Sequence, residues 1–394
     1  MRRVLVVNGP NLNLLGSRRP DVYGSTTLTD LERLCAAWGT RLGVEVESFQ
    51  SNHEGSLIDR LHAAKGTIDG LVINPGALTH TSYALHDALE AVEIPAVEVH
   101  ISNVEEREPW RRISVTGPAC VHRIYGRGIY GYQNALSHLV ARAALPFTTV
   151  PYGHHRDQIA DLRLPEGNGP HPVAVLLHGG FFLGQYTRDL MDGAAVDLTR
   201  RGVATWNAEY RRLGDEGGFP ATLRDVAAVV DALSGLSSPL DLNRVALIGH
   251  SAGGYLAVWA AARRGLGEEW PEATTIPQVV TTLACFGDPV EAATASIGGG
   301  AVGRFLAAAA TPADLATVNP LLRLPCRAWH LANTAADDPV VPPEHTHRYV
   351  EAAETAGDPV ETAEYDSSHF DLIDPTGDAW SAIAARTSAL LIDG

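Results

Sequence analysis

Lysine is almost missing from this chain: Lys65 is the only one in 394 residues. Chemistry that needs a lysine amine, such as a Schiff base with a carbonyl substrate, must use Lys65 or be discarded. Cysteine is scarce too. Cys35, Cys120, Cys285 and Cys326 are scattered, two in each half, with no C-x-x-C spacing. They form neither a disulfide framework nor a zinc motif and read as small core residues. No stretch of about eighteen or more uncharged apolar residues occurs, so nothing is expected to span a membrane. The apolar run after Met1-Arg2-Arg3 is too short for a secretory signal and reads as a first strand. The expectation is a cytoplasmic protein with no membrane partner.

Positive charge is short as well. The formal net charge is −16, unevenly placed: residues 1–145 hold 14 basic and 15 acidic side chains, and residues 146–394 hold 16 and 31. An acidic field of this kind excludes nucleic acid or an anionic membrane surface as the expected partner. What is present, 45% hydrophobic and 19% charged residues, is ordinary for a globular protein. The length exceeds what one core usually serves, which predicts two domains.

The first half alternates strand and helix patterns. Strands are predicted at Val4–Asn8, Val44–Phe49, Gly70–Asn74, Ala96–Ile101 and Ala119–Tyr125. Helices fall at Leu28–Leu42 (capped by Thr27 or Thr29), Ser56–Ala64, Ser82–Val92 and Gly131–Ala143. This is an α/β fold, a flavodoxin-like five-stranded parallel sheet spanning residues 1–145. Residues 146–151, with two prolines and no helical period, read as a linker. The pattern restarts over 152–394, with strands at Ile159–Leu164, Val173–His178, Gly202–Glu209, Val245–Gly249, Ala328–Leu331 and Val360–Tyr365. Helices are expected at Met191–Arg200, Leu223–Leu233 and Gly253–Arg263, and alanine-rich Phe305–Ala310 reads as helix or lid.

Three motifs in the first half fall at strand carboxyl ends, where an open α/β sheet forms its ligand crevice. They are Asn8-Gly9-Pro10-Asn11 with Arg18–Gly24, then Asn74–Ser82, then Glu98–Asn103 with Arg111 behind it. Together with Ser51–Gly55, these segments resemble the type II 3-dehydroquinate dehydratases, over residues 4–143. The resemblance implies dehydration of a β-hydroxy ketone, which needs a base for the carbon beside the carbonyl and an acid for the departing hydroxyl. It implies Tyr23 as the base, ionised beside Arg18, and His100 as the acid, with Glu98 nearby to orient or charge it. Asn74, His80, Ile101, Ser102 and Arg111 would hold the substrate's carboxylate and hydroxyls, and Asn11 would sit near the enolate oxygen. Asp87 matches a residue that this family contributes from a neighbouring subunit, within trimers that assemble into dodecamers. A trimer-based homo-oligomer, extending to a dodecamer, follows as an expectation; no cofactor and no metal are implied. The unrelated dehydratase class uses a Schiff-base lysine, but Lys65 lies at a helix end, away from the strand ends. Arg19 stands where the family usually has glutamate, His86 where arginine is common, and Val121–Tyr132 is divergent. A specialised-pathway relative therefore stays open.

In the second half, Gly249-His250-Ser251-Ala252-Gly253 follows a strand and precedes a helix, the context of a G-x-S-x-G nucleophile elbow. His178-Gly179-Gly180-Phe181 follows an earlier strand, where an oxyanion loop belongs; the N–H groups of Gly180 or Phe181 and of Ala252 would serve it. Downstream, Asp337-Asp338-Pro339 and Ser368-His369 supply acid and base in the order this fold requires. With Trp206–Arg212, this half resembles α/β-hydrolase esterases of the prolyl-oligopeptidase and kynurenine-formamidase branches. In similar hydrolases the acid commonly lies three residues before the apolar residue that leads into proline, as Asp337 does before Val340, so that resemblance favours Asp337 over Asp338. No propeller gate is present, so esters or amides of small molecules are expected rather than peptides. A bifunctional enzyme is the leading reading, and a shared pathway would have the second unit release a quinate- or shikimate-type acid. A dehydratase-fold scaffold that oligomerises an esterase, or a sensor of pathway intermediates, would each leave one intact residue set without a use.

Overall fold

The computed structural model describes residues 1–267 and 270–393. The chain divides into two compact units, Met1–Ala144 and the remainder from Leu145. In the first, β1 (Arg3–Asn8), β2 (Glu45–Gln50), β3 (Gly70–Asn74), β4 (Ala96–His100) and β5 (His122–Tyr125) form one parallel sheet in the order β2-β1-β3-β4-β5. β1, β3 and β4 are buried along nearly their whole length because helices cover both faces, the situation that calls for near-continuous apolar strands. Alternation along the strands splits the core. Val4, Val6, Val72 and Val97 pack toward Leu31, Trp38 and Leu136; Leu5, Val7, Leu71 and Ile73 pack toward Leu57, Leu61, Leu85 and Leu89. Thr27 caps the helix Leu28–Arg41 through a reciprocal bond pair with Asp30. The strand order reverses between β1 and β3, which opens a crevice beyond Asn8 and Asn74. The fifth strand begins at His122 rather than Ala119, because Gly117–Ala119 is spent on a 3₁₀ turn.

The second unit carries β6 (Thr148–Pro151), β7 (Ile159–Arg163), β8 (His171–Leu177), β9 (Ala204–Ala208), β10 (Leu240–His250), β11 (Val279–Leu283), β12 (Trp329–Ala335) and β13 (Val360–Tyr365). Among the described residues these form one sheet, β13-β12-β11-β10-β8-β9-β7-β6, parallel except where β7 runs against β6 and β9. The helix Ala252–Ala262 is buried at every residue, which is why it is apolar all round. The expected linker is corrected here. Residues 148–151 are the outermost strand, pairing Thr148–Pro151 with Ile159–Leu162. An edge position tolerates the missing N–H of Pro151, so proline marks a sheet border and not a break. In the segment read as helix or lid, the helix Ala301–Phe305 ends where that segment begins. The second-unit strands still cover the expected positions, and β11 adds one that its short, threonine-containing run concealed.

If β6 belongs to the second fold, a chain starting at residue 152 should be less stable than one starting at 145. Four lost cross-strand pairs predict about 1–2 kcal/mol, hence a thermal midpoint lower by roughly 2–8 °C. Identical melting of the two chains would contradict the assignment.

Candidate active sites

The loops after β1, β3 and β4 are brought together by close backbone packing. Gly9 donates its N–H to Asn74 O at 2.8 Å, and a β-carbon at Gly9 would lie 2.5 Å from Pro75 O, so only glycine fits. Asn11 adopts φ 70°, a left-handed conformation that asparagine tolerates, and its N–H donates to Asn52 Oδ1 at 2.8 Å. The Tyr132 hydroxyl donates to Asn8 Oδ1 at 2.7 Å and accepts from Asn74 Nδ2 at 2.9 Å, which fixes the Asn74 amide. These loops enclose a pocket of about 100 Å³. Of the expected site residues, Asn11, Arg18, Tyr23, Asn74, His80, His100, Ile101, Ser102 and Arg111 all line it.

Arg107 lines it too, a residue that sequence reasoning missed. Its Nη1–H donates to the Tyr23 hydroxyl at 2.9 Å and to Ser102 Oγ at 3.2 Å. The Arg18 and Arg107 guanidinium carbons lie 5.5 and 5.8 Å from the Tyr23 ring centre. In the run Glu105-Glu106-Arg107-Glu108 this arginine looks like one more solvated charge, and only the fold of Val104–Glu106 turns it inward. Arg111 Nε donates to Glu108 at 2.8 Å while its guanidinium stacks on Trp110. Asp87 is exposed on the helix Tyr83–Val92 and is absent from its own chain's pocket. Lys65 donates to Ala91 O at 2.7 Å at the opposite end of the sheet.

Behind His100 sits Glu98, fully buried. Glu98 Oε1 receives His100 Nε2 at 2.7 Å, Thr79 Oγ1 at 2.9 Å and Ser114 Oγ at 2.9 Å. Thr116 Oγ1 donates to Oε2, and Arg123 approaches at 3.3 Å. Burial pushes this carboxyl up, but the hydrogen bond and charge of His100, then Thr116 and Arg123, outweigh it and hold it at about 2. Glu98 is therefore a carboxylate throughout the working range, suited to fixing the His100 ring. Desolvation lowers His80, whose Nδ1 meets Ile113 O at 2.6 Å.

In the second unit, β10 ends at His250 and the buried helix starts at Ala252, leaving Ser251 at the turn with φ 55° and ψ −121°. Such a conformation is costly for a residue with a β-carbon and marks a constrained site. β-Carbons at Gly249 or Gly253 would fall 2.0 Å from a backbone oxygen, so both glycines are obligatory. Ser251 Oγ is buried and has no hydrogen-bond partner among the described residues.

The acid assignment is corrected. His369 Nδ1 donates to Asp338 Oδ2 at 2.5 Å, while Asp338 Oδ1 accepts the N–H groups of Val340 and Val341 at 2.8 and 3.1 Å. Asp337 is exposed. The turn after β12 takes its shape from the carboxylate that caps Val340 and Val341, and that geometry buries Asp338, not its neighbour. Burial raises Asp338 but His369 lowers it further, so it stays ionised. His250 Nε2 donates to His369 O at 3.0 Å; burial, then the charge of His369, pushes this imidazole down to about 3, so it stays neutral.

The loop His178–Phe182 lies against Ser251: a β-carbon on Gly179 would stand 2.9 Å from Ser251 Cβ. Gly180, Phe181 and Phe182 take φ of 105°, 52° and 61°, which turns this backbone across the serine. Glu209 anchors the loop, bonding His178 Nε2 at 2.9 Å and Arg188 N at 3.0 Å and pairing with Arg212. Tyr210 donates to His178 O at 2.6 Å. Ala252 opens the helix, where an N–H has no intrahelical acceptor.

Residues 2–140 match the family model described as Dehydroquinase class II, and residues 160–279 the one described as BD-FAE. The 3-dehydroquinate dehydratase of Thermotoga maritima is 57% identical over 137 residues, 35% of this chain and 94% of its own. The catabolic 3-dehydroquinase 1 of Neosartorya fischeri is 54% identical over 138 residues, 35% of this chain and 92% of its own. Esterase B from Lactobacillus rhamnosis is 16% identical with a TM-score of 0.55, over 66% of this chain and 92% of that one. An acetyl ester-xyloside bifunctional hydrolase from Caldicellulosiruptor lactoaceticus is 17% identical with a TM-score of 0.52, over 61% and 94%. At such identities the likeness fixes the fold of the second unit, that of an α/β-hydrolase.

Two outcomes follow from these geometries. Asp338→Asn should cut ester cleavage by about 10⁴-fold through the wrong histidine tautomer, while Asp337→Asn stays near wild type in initial-rate assays; the reverse ranking would contradict this triad. For Glu98, the folded carboxyl lies below its ordinary value, so its ionisation stabilises the fold above the unfolded range and is lost as pH falls toward 2. The stability gap between wild type and Glu98→Gln should be widest near neutral pH and narrow by about 2 kcal/mol on acidification, as read by urea unfolding. A gap independent of pH would rule out that role for the carboxylate.

Proposed function

Because the chain belongs, through residues 2–140, to the type II dehydroquinase family, we propose that its first unit dehydrates 3-dehydroquinate to 3-dehydroshikimate and its second hydrolyses a small-molecule ester. The observation that carries the first assignment is the Tyr23 hydroxyl held by Arg107 and flanked by Arg18, in the pocket that also holds His100, with Glu98 behind it. Two guanidinium groups place positive charge where a tyrosinate base needs it. Tyr23 takes the proton from the carbon beside the ketone, and the electron pair moves onto the carbonyl oxygen as an enolate near Asn11. Collapse of the enolate re-forms the ketone and expels the β-hydroxyl, which leaves as water with the proton of His100. Arg111 pairs with the substrate carboxylate; Asn74, His80, Ile101 and Ser102 bind its other polar groups. No cofactor takes part.

In the second unit, Ser251 Oγ attacks the ester carbonyl as His369 takes its proton, with Asp338 holding the imidazole. The N–H groups of Gly180 or Phe181 and of Ala252 receive the oxyanion. His369 returns the proton to the leaving alcohol, and water then releases the acid. The fold and the elbow support an ester of a small molecule; the chain's two sites are independent.

The assembly is a trimer-based homo-oligomer, up to a dodecamer, in the cytoplasm. Supporting it are Asp87, outside its own pocket and available to a neighbour's, and the exposed apolar Tyr83, Trp110 and Ile113. Among the described residues no helix is long and apolar enough to cross a membrane.

Crossed variants test the pair of activities. Tyr23→Phe should lower dehydration by about 10²–10⁴-fold and leave cleavage of a short aryl ester within about twofold. Ser251→Ala should do the opposite. Full dehydration by the Tyr23 variant would remove the base assignment, and loss of both activities in either variant would remove the independence of the sites.

A further inference from the structure

At the edge of the second sheet opposite Ser251, three metal-binding side chains converge. Cys326 precedes β12, His330 is its second residue, and Asp358 precedes β13; all three are buried. Cys326 Sγ lies 3.2 Å from His330 Nε2, which lies 3.3 Å from Asp358 Oδ2, and the three ligand atoms fall within 4.8 Å of one another. We propose that Cys326, His330 and Asp358 bind a divalent transition-metal ion, with thiolate, imidazole and carboxylate suited to Zn²⁺.

Charge favours an ion here. Asp358 is buried, and among the described residues no arginine or lysine forms an ion pair with it; its side chain meets His330 and Cys326. Two backbone N–H groups, of Cys326 at 2.8 Å and Arg327 at 2.7 Å, give the carboxylate hydrogen bonds but no countercharge. A metal ion bound here would meet a carboxyl group that no arginine or lysine among the described residues already pairs with.

Geometry agrees. About 2.3 Å to sulfur and about 2.0–2.1 Å to nitrogen or oxygen, with tetrahedral angles, place neighbouring ligand atoms about 3.3–3.6 Å apart. The Sγ–Nε2 and Nε2–Oδ2 separations need to change by only a few tenths of an ångström. On the far side of the imidazole, Nδ1 is bonded to the buried Tyr349 hydroxyl. With Nδ1–H donating to that oxygen, the Nε2 lone pair faces Sγ and Oδ2, an outer hydrogen bond of the kind that orients metal-binding histidines. Burial and the charge of Asp358 push the Cys326 thiol up to about 12. The ion would displace that proton to solvent, one per metal bound. The residues lie four and twenty-eight positions from one another, Cys326 to His330 and His330 to Asp358. That spacing is not a zinc motif, which is why the sequence hid it.

Full-length protein produced in zinc-supplemented medium and desalted should carry about one zinc per chain by elemental analysis. Protein produced with cobalt should show a thiolate-to-cobalt charge-transfer band. Cys326→Ala and His330→Gln should each lower metal content at least roughly tenfold and remove or shift the band, with Cys35, Cys120 and Cys285 untouched. Dehydration should be unchanged throughout, since the cluster lies in the other unit. Wild-type protein with less than about a tenth of an equivalent of zinc and no charge-transfer band overturns the proposal, whether or not the variants fold. So does a band that survives both substitutions.

Discussion

A carboxylate removed from water must be met by donors on every side, and in the first unit Glu98 imposes that requirement on four segments of chain at once. Its partners come from the β3 loop (Thr79), its own strand (His100), the turn after the arginine segment (Ser114, Thr116) and β5 (Arg123). Satisfying Glu98 closes those loops over the sheet edge, and the same closure brings Arg107 and Arg111 into the pocket. A neutral side chain there would leave hydroxyl and imidazole donors unpaired in a dry site, at about 1–3 kcal/mol each. The ordering of the pocket and the orientation of His100 thus have one origin.

Glu209 has the same role in the second unit. It ties His178, the backbone of Arg188 and the side chain of Arg212 into one cluster, so that the left-handed residues Gly180–Phe182 are held over Ser251. The strain of that loop, and of Ser251 itself, is sustained because buried charge and a close-packed all-apolar helix leave the backbone no alternative. Both sites thus follow one scheme: a buried carboxylate near a strand end, bonded to several segments at once, holds a histidine in place.

Much of this was legible in the sequence, for identifiable reasons. Buried parallel strands write themselves as apolar runs such as Val4–Val7 and Gly70–Ile73, and polar residues set among glycine and proline at their ends mark the crevice where a ligand binds. Ser251 and His369 could be singled out because each follows a strand in the order an α/β-hydrolase uses, and Tyr23 and His100 because their segments resemble the type II dehydratases. What was hidden depended on side-chain direction. Asp337 and Asp338 are adjacent and chemically identical, and only the turn that caps Val340 and Val341 decides which one faces His369. Arg107 was masked by a run of glutamates, and β6 by Pro151 and the Pro146 before it, because pattern reading cannot tell a sheet border from a linker. Cys326, His330 and Asp358 meet only through the register of β12 with β13.

Proton removal by Tyr23, held between Arg18 and Arg107 and with no lysine adduct, is the proposal on which the first unit's chemistry rests. It is tested most directly by following enone absorbance when wild-type protein is given 3-dehydroquinate, before and after borohydride treatment in the presence of substrate. Turnover that borohydride leaves intact is the expected result, since Lys65 lies at the far end of the sheet. Absence of turnover, or inactivation with the label on Lys65, would contradict it.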